Sequence, residues 1–242
     1  MRLSGARVLV TGASSGIGAA TAREMAEAGA RLVLMGRDRR RLESVAAETG
    51  GRAVVGDLAT DAAGLASQAG PVDVLVSNAG AGWAGPLARM PGEAVERLTT
   101  VNLTAPILLT RLLLPGMVER GRGHVVFVAS IAGAVGVREE AVYSATKAGL
   151  IVFAEGLRHE LRDVGVSVVL PGVVDTPFFD RRGMPYARRW PRPVPPERVA
   201  RAVVSAIEHG RAETYVPGWL RVPSRVRGAA PGLFRLLAAR FG

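Results

Sequence analysis

The sequence predicts a single α/β domain in which a doubly wound parallel sheet of about seven strands carries helices on both faces. Three observations predict this fold. Short, continuous apolar runs alternate along the chain with amphipathic segments of helical period, as buried parallel strands and their crossover helices do. A glycine-rich turn at 11–18 follows the first apolar run and opens the first helical segment. With 242 residues and 48% hydrophobic content, the chain is long enough to form one large core.

The elements follow in order from these patterns. The predicted strands are 6–10, 31–35, 52–56, 72–77, 124–130, 166–170 and 214–217. The predicted helices are 17–28, 38–48, 92–118, 141–163 and 197–209. Right-handed crossovers between parallel strands then generate the doubly wound arrangement. The crossover 58–70 leaves room only for a stunted helix, and the Pro- and Arg-rich segments 177–196 and 218–242 are predicted to be irregular.

The composition restricts the classes of function. The chain has no cysteine, which excludes disulfides and a thiol nucleophile and favours a cytoplasmic protein. A net charge of +10 comes without zinc spacing, an RNA-binding aromatic strand or a basic heptad region, so we expect no nucleic-acid partner. The three histidines lack partners in sequence, and no metal site is predicted. The apolar run 106–118 is interrupted by Arg111 and is too short to cross a bilayer, so no integral membrane segment is expected.

The first chemical signal is the turn TGASSGIG at 11–18. Gly12, Gly16 and Gly18 permit a tight, partly left-handed backbone and let a phosphate approach the N-terminus of the following helix, whose free N–H groups favour anions. A glycine cluster alone also fits an ordinary tight turn. In this strand–turn–helix context, it predicts a dinucleotide-binding site.

The second signal is YSATK at 143–147, where Lys147 is the only lysine among 31 Lys and Arg residues. On a helix, Tyr143 and Lys147 lie one turn apart on the same face. An ammonium about 4 Å from the phenol, at an effective dielectric of about 20, favours the phenolate by about 4 kcal/mol, or about 3 pKa units. Arginine would supply the charge, but it is larger, planar and effectively never deprotonated. The pattern therefore predicts a Tyr–Lys pair for acid–base chemistry, with Lys147 at the rim of the site rather than in the core.

Six motifs in order resemble those of the short-chain dehydrogenase/reductase family, over residues 6–176. They are TGASSGIG, GDL at 56–58, SNAG at 77–80, VNL at 101–103, VVFVAS at 125–130 with YSATK, and PG at 171–172 with Thr176. In SNAG, Ser77 replaces the first Asn of the family pattern. The resemblance implies a Rossmann-type fold, a nicotinamide dinucleotide cofactor and an enzyme that acts on CH–OH groups.

The resemblance implies a catalytic set of Asn102, Ser130, Tyr143 and Lys147. The Ser130 hydroxyl can donate to a carbonyl oxygen as negative charge builds on it. A serine at a strand end can instead simply cap the following loop. Asn102 would hold a water that links Lys147 to solvent, with a fully hydrogen-bonded buried amide as the alternative interpretation.

The resemblance also implies the binding residues. The cofactor contacts are Gly12, Ser14, Ser15, Gly16, Ile17, Gly18, Arg37, Asp57, Leu58, Asn78, Ala79, Gly80, Tyr143, Lys147, Pro171, Gly172, Val174 and Thr176. Asp57 corresponds to the acid near the adenine. The substrate contacts are Ser130, Ile131, Val137, Tyr143, Phe178 and Phe179, with contributions from Val174, Ala81 and Trp83. Apolar residues are also ordinary core, and about half of this apolar set is expected to lie there.

Cofactor preference depends on the end of the second strand, RLVLMGRD at 31–38. An enzyme that uses NAD would place an acid here to bind the ribose hydroxyls. This chain has Gly36, which leaves space for a 2′-phosphate, and Arg37, whose guanidinium can pair with that phosphate. Asp38 is expected to cap the next helix instead. NADP(H) is therefore predicted, with NAD(H) as the alternative.

The sequence thus predicts an NADP(H)-dependent oxidoreductase that interconverts an apolar ketone or aldehyde and its alcohol, with Tyr143 as general acid/base. A lyase or epimerase on the same scaffold and a non-catalytic cofactor-binding regulator are the alternatives, because fold does not fix reaction. The intact tetrad favours the oxidoreductase. The expected partner is a small-molecule carbonyl or alcohol, and a homodimer or homotetramer is expected.

Two segments of the single domain 1–242 have less definite predictions. Residues 177–196 are expected to form a solvated substrate loop that carries Arg181, Arg182, Arg188, Arg189 and Arg192. Residues 219–242 alternate basic and apolar side chains, and are expected to pack on the domain or on a neighbouring subunit rather than on a membrane. The apolar face would contain Val226, Leu233, Leu236 and Leu237, with Arg225, Arg227, Arg235 and Arg240 opposite.

Overall fold

One seven-stranded parallel sheet forms the centre of the protein. The structure, a computed structural model, describes residues 1–186 and 191–241, and for 237–241 the backbone alone. The strand order is β3-β2-β1-β4-β5-β6-β7. The strands are β1 Arg7–Thr11, β2 Arg31–Gly36, β3 Arg52–Val55, β4 Val74–Ser77, β5 Gly123–Val128, β6 Val164–Pro171 and β7 Glu213–Val216. The predicted fold class and all seven predicted strands are confirmed.

Helices connect the strands and cover both faces of the sheet. The helices are α1 Gly16–Glu27, α2 Arg39–Thr49, α3 Ala62–Ala69, α4 Gly92–Thr99, α5 Ala105–Glu119, α6 Ile131–Val135, α7 Ala141–Glu160, α8 Phe178–Arg181, α9 Pro196–His209, α10 Arg221–Ala229 and α11 Pro231–Phe241. The short α3 agrees with the stunted helix predicted for 58–70. Two short helices were not predicted: α6, directly after β5, and α8, which lies in the segment 177–196 that was predicted to be irregular.

The core consists of two apolar layers, one on each face of the sheet. Along β1, Val8 and Val10 enter one layer and Leu9 enters the other, because successive strand residues point to opposite faces. Residues of α1, α2 and α9 fill the first layer, and residues of α3, α5 and α7 fill the second. This burial on both faces explains why the strands are continuous apolar runs. It also leaves the carboxyl ends of the strands as the place where polar side chains can meet.

The C-terminal segment differs from the prediction. Residues 218–242 were expected to be irregular, but a 3₁₀ turn at Gly218–Leu220 leads into α10 and α11. The prolines that suggested loop lie in the first turns of these helices, Pro223 in α10 and Pro231 at the start of α11. Proline is tolerated there because the first N–H groups of a helix have no intrahelical partner.

The C-terminal helices pack on the domain in part. The Arg227 guanidinium donates to the Ala134 carbonyl of α6, as expected for a segment that packs on the domain. Leu233 and Leu236, by contrast, are exposed. The Leu237 and Arg240 side chains, like Arg188 and Arg189 of the substrate segment, lie outside the described part of the chain.

One continuous helical stretch, Gly92–Glu119, passes through α4, a π-helical turn at Thr100–Thr104 and α5. With 28 residues and a mean hydropathy of 1.5, it is long and apolar enough to cross a membrane by length and composition. The apolar helical stretch is therefore longer than the run 106–118 on which the expectation of no membrane segment was based. Nearly half of its apolar window, 44%, is buried in the protein, with Leu109 and Met117 in the core. A core helix of a soluble protein has the same features.

Candidate active site

The carboxyl ends of β1 and β4 are joined by a compact set of hydrogen bonds. The Thr11 hydroxyl accepts from the backbone N–H groups of Asn78 and Ala79, each at 3.0 Å. The Asn78 side-chain amide donates to the Thr11 carbonyl at 3.0 Å. A Cβ on Gly12 (φ +66) would lie 2.9 Å from the Ala79 Cα, and one on Gly18 would lie 2.2 Å from the Gly12 carbonyl oxygen. Only glycine therefore allows the first turn to lie this close to the end of β4.

The same turn meets the segment after β6. Gly16 has a φ of +55, and a Cβ there would lie 3.0 Å from the Thr176 methyl group. Ser15 is the N-cap residue of α1 but its side chain makes no capping hydrogen bond. The Arg181 guanidinium lies 3.4 Å from the Ser15 hydroxyl. The N-terminus of the twelve-residue helix α1 therefore lies beside both the glycine turn and the guanidinium of Arg181. This arrangement fits the pyrophosphate of a dinucleotide.

An ion-pair cluster surrounds Asp57, which follows β3. Arg97 of α4 donates to the Asp57 carboxylate at 2.9 Å, and Arg37 lies 3.5 Å from the same oxygen. Burial by itself raises the pKa of Asp57, but hydrogen bonds from the Ala59 N–H and Arg97, with the charge of Arg37, bring the pKa below its ordinary value. Asp57 is therefore ionised at neutral pH. Arg97 was not predicted as a site residue.

Gly36 and Arg37, the residues on which the predicted cofactor preference depends, lie at the end of β2 beside the glycine turn. Gly36 ends β2, and a Cβ there would lie 3.5 Å from the Ser14 side chain. The Arg37 side chain is 60% exposed beside this position and can turn towards a phosphate. Asp38 accepts from the Arg41 N–H at 3.1 Å, so it caps α2 as predicted.

Tyr143 lies on α7 and is 8% exposed. Burial raises the pKa of its phenol above the ordinary value. A hydrogen bond with Ser130 lowers the pKa, the Glu140 carboxylate raises it, and the positive charge of Arg182 lowers it. Burial dominates, so the protein alone does not produce the lowered pKa expected from the sequence.

Lys147 lies one turn further along α7 and is 4% exposed, so the expectation of a position at the rim of the site was wrong. Its ammonium donates to the Val128 carbonyl at 3.0 Å and lies 5.9 Å from the centre of the Tyr143 ring. Burial lowers the pKa of Lys147 to about 8. The amine can therefore exchange a proton near neutral pH.

Ser130 follows β5 and begins α6. Its hydroxyl accepts from the Ala132 N–H at 3.1 Å and also hydrogen-bonds Tyr143. The Ser130 hydroxyl can therefore cap α6 and also take part in catalysis, so the two interpretations do not exclude each other. The cap fixes its rotamer, and the hydroxyl remains beside the phenol.

Asn102 lies in the π-helical turn and is fully buried. Its side-chain oxygen accepts from the Ala81 N–H at 2.8 Å, and its amide donates to the Ala81 carbonyl and the Thr146 hydroxyl. A Cβ on Gly80 would lie 3.4 Å from the Asn102 oxygen and 3.6 Å from the Lys147 ammonium. Asn102 thus lies beside Lys147, with its side-chain hydrogen bonds made to protein groups.

Apolar side chains surround the other side of Tyr143. The Phe178 ring lies 5.6 Å from the Tyr143 ring, and Val137 and Trp83 pack in the same cluster. Phe179 contacts Phe178 rather than Tyr143. A cavity of about 100 Å³ adjoins Tyr143, with Trp83, Leu87, Met90 and Val142 in its walls. Leu87, Met90 and Val142 were missed, because in sequence they resemble any other core residue.

The remaining predicted contacts lie around the same edge. Ile131 is the first residue of α6, and Leu58 packs partly buried on the core below Asp57. The Gly172 N–H donates to the Val216 carbonyl, and Val174 is buried in a bridge to Val194. Ser14 and Ile17 belong to the glycine turn, and Pro171 ends β6. The structure thus brings the predicted residues to one edge of the sheet.

Comparisons with known proteins agree with this geometry. The family model described as short chain dehydrogenase matches residues 6–185. The chain belongs to the short-chain dehydrogenase family. Its relatives include the ketoacyl reductase HetN of Nostoc sp., which is 38% identical over 88% of this chain and 79% of that protein.

Solved structures of the family have the same fold. A short-chain dehydrogenase from Sphingobium yanoikuyae in complex with NADPH superposes with a TM-score of 0.85, at 30% identity over 95% of each chain. A 3-ketoacyl-(acyl-carrier-protein) reductase from Brucella melitensis complexed with NADH gives 0.82, at 28% identity over 88% of this chain and 97% of that one. This chain is therefore a family oxidoreductase with a nicotinamide cofactor.

The close packing of α6 on α7 gives a prediction for the stability of the protein. A Cβ on Gly133 of α6 would lie 2.5 Å from the backbone of Lys147 in α7. A Cβ on Gly156 of α7 would instead meet no atom within 4 Å. Gly133→Ala should lower the free energy of unfolding by about 1–3 kcal/mol, because the helices must move apart. Gly156→Ala should raise it by about 0.5–1 kcal/mol, because alanine favours the helix. Urea unfolding measures both, and equal effects at the two positions would contradict the packing argument.

Proposed function

We propose that the protein is an NADP(H)-dependent oxidoreductase that interconverts an apolar ketone or aldehyde and the corresponding alcohol. The observation that carries this proposal is the meeting of three features at one sheet edge. These are an anion-binding glycine turn, a buried set of Ser130, Tyr143 and Lys147, and an apolar cavity against the phenol.

Each residue of the set has a definite part in the reduction. When bound, a reduced nicotinamide would supply the hydride for the carbonyl carbon. The Tyr143 phenol donates its proton to the carbonyl oxygen, and the Ser130 hydroxyl hydrogen-bonds that oxygen as negative charge develops. Lys147 supports the phenolate that remains and exchanges protons near neutral pH, as its pKa of about 8 allows. Asn102 holds the Ala81 backbone and Thr146 beside it. In alcohol oxidation, the proton moves in the reverse direction.

The cofactor would lie along the carboxyl edge of the sheet. Gly12, Gly16 and Gly18 would admit its pyrophosphate to the N-terminus of α1, and Asp57 with Arg97 would lie near the adenine. The lack of a side chain at Gly36, where a Cβ would already contact Leu42 at 3.3 Å and Ser14 at 3.5 Å, and the exposed guanidinium of Arg37 support a 2′-phosphate and therefore NADP(H). NAD(H) is the alternative.

The largely apolar walls of the cavity support an apolar substrate. Trp83, Leu87 and Met90 offer apolar contact area, and Glu139 and Glu140 also line the cavity. The names of the relatives, a ketoacyl reductase from Nostoc and a 3-ketoacyl-(acyl-carrier-protein) reductase from Brucella, support a carbonyl substrate.

We also propose a cytoplasmic protein that forms a homodimer or homotetramer. Leu108 and Leu112 of α5 and Val152 of α7 are exposed, with Val152 71% exposed. Apolar side chains on the surfaces of these two helices favour self-association, and closed homo-oligomers are the common outcome.

A panel of carbonyl compounds tests the proposed function. The probes are acetophenone, 2-octanone, octanal and ethyl acetoacetate with NADPH, followed by the loss of reduced-nicotinamide absorbance. At least one should be reduced, and Tyr143→Phe should abolish the reaction, because the variant cannot donate the proton. No reduction of any probe by a folded protein that binds NADPH, or equal activity in Tyr143→Phe, would contradict the proposal.

Arg37 should decide the cofactor preference. Replacing it with Ala removes a charge-assisted partner of the 2′-phosphate and should weaken NADPH binding by about 10-fold or more, with little effect on NADH. Fluorescence titration of both cofactors measures the change. Arg39→Ala, at an exposed arginine paired with Glu43, is the matched control. Equal affinity of the parent protein for NADPH and NADH would disprove the assignment.

Lys147→Arg should reduce turnover by about 100-fold or more. The larger planar group cannot occupy the buried site beside the Val128 carbonyl without moving Tyr143, and a displacement of about 1 Å can cost about 100-fold. Single-turnover hydride transfer measures the loss, with thermal unfolding as the control for folding. A folded arginine variant that reacts within a few-fold of the parent would show that the single lysine has no special role.

A further inference from the structure

A buried ion pair joins the segment after β6 to the start of the catalytic helix. The Arg182 guanidinium donates to the Glu140 carboxylate, and the two side chains are only 8% and 14% exposed. Glu140 precedes α7 and lies three residues before Tyr143. Its side chain does not cap α7. Nothing in the roles given above to the glycine turn, Ser130 or Lys147 uses this pair.

Several contacts fix Arg182 in its place. Its guanidinium lies 4.6 Å from the centre of the Phe179 ring, and its Nε donates to the Met184 carbonyl at 2.9 Å. Its own carbonyl accepts from the Ala84 N–H. A Cβ on Gly82 would lie 3.0 Å from the Arg182 Cβ, so the two segments are in close contact. The cation is therefore held beside Glu140 by packing on both sides.

The pair lies beside Tyr143, because Glu140 and Tyr143 line the same cavity. Phe178, four residues before Arg182, packs on the Tyr143 ring with 5.6 Å between centroids. Within the described part of the chain, the charged groups near the phenol include Lys147 of α7, Glu139 and Glu140 directly before α7, and Arg182 from the segment after β6. The Glu140 carboxylate raises the pKa of Tyr143 and Arg182 lowers it. The Glu140 carboxylate opposes negative charge on the phenol oxygen, and the guanidinium of Arg182 offsets that effect.

We propose that Arg182 and Glu140 are a positioning pair for proton transfer, in which Arg182 supplies the counter-charge that stops Glu140 from opposing formation of the Tyr143 phenolate. The proposal rests on the function proposed above. It makes the proton-transfer step dependent on the placement of residues 178–184 against α7. Neither residue touches the reacting atoms, so both act through Tyr143.

A cycle of neutral variants tests the pair. The variants are Arg182→Gln, Glu140→Gln and the double variant, and the exposed pair Arg23–Glu48 gives a matched control cycle with the same changes of charge. The first readout is the pH dependence of 1-phenylethanol oxidation by NADP⁺. The second is the titration of Tyr143 in the complex with the oxidised cofactor, followed by NMR of protein with ¹³C-labelled tyrosine rings. The chain has only three tyrosines, and Tyr143→Phe assigns the signal.

The two single variants should shift the ionisation in opposite directions. Arg182→Gln should raise the Tyr143 pKa and the corresponding limb of the rate profile by about one pH unit, so that oxidation below the limb slows by about tenfold. Glu140→Gln should lower both, because Arg182 then acts alone. The double variant should return close to the parent. A general disturbance of the structure would not give opposite shifts in the single variants, and the double variant would not restore the parent pKa.

Other outcomes would overturn the proposal. These are an Arg182→Gln profile that shifts no further than the Arg23→Gln control, or a double variant as shifted as Arg182→Gln. If Arg182→Gln does not fold, Glu140→Gln and Arg182→Lys still test the proposal. Glu140→Gln should move the limb of the rate profile to lower pH, and Arg182→Lys should leave it at the pH of the parent. A parent protein that accepts no alcohol or ketone would contradict the proposed function, while the tyrosine titration would still test the pair.

Discussion

The contact between the glycine turn after β1 and the end of β4 is the constraint on which the site depends. Thr11 binds the backbone at Asn78 and Ala79, and Gly18 lies against the Gly12 carbonyl where no larger residue fits. These contacts fix the start of α1 relative to the central strands. Because β4, β5 and β6 are neighbours in the sheet, the residues that follow each of them then reach the same edge. A second close contact, Gly133 against Lys147, fixes the catalytic helix to that edge.

Most of the fold and the centre of the site could be predicted from the sequence because their signals are local in sequence. Strands buried on both faces must be apolar throughout, so β5 was predicted at 124–130 and lies at Gly123–Val128. Glycines with left-handed backbone, such as Gly12, mark places that other residues avoid. Tyr143 and Lys147 were readable because helical spacing alone puts them on one face. In each case, the signal is local in sequence.

What could not be predicted depends on long-range contacts. Arg97 and Asp57 are 40 residues apart, and Arg182 and Glu140 are 42 apart, and nothing in sequence distinguishes these arginines from the others. Burial is equally invisible, and so Lys147 was expected at the rim of the site. Pro223 and Pro231 suggested loop because proline is read as a helix breaker, while at the first turn of a helix it breaks nothing.

Burial also explains why position 147 has the only lysine of the chain. A side chain that is 4% exposed carries a large cost for a permanent charge, and arginine cannot avoid that cost because it does not lose its proton. Lysine can, and its pKa of about 8 leaves both forms accessible near neutral pH. Tyr143 is subject to the same burial, which favours its neutral phenol. The two buried groups can thus remain neutral or share one proton, whereas an arginine at 147 would fix a charge beside the phenol throughout the reaction.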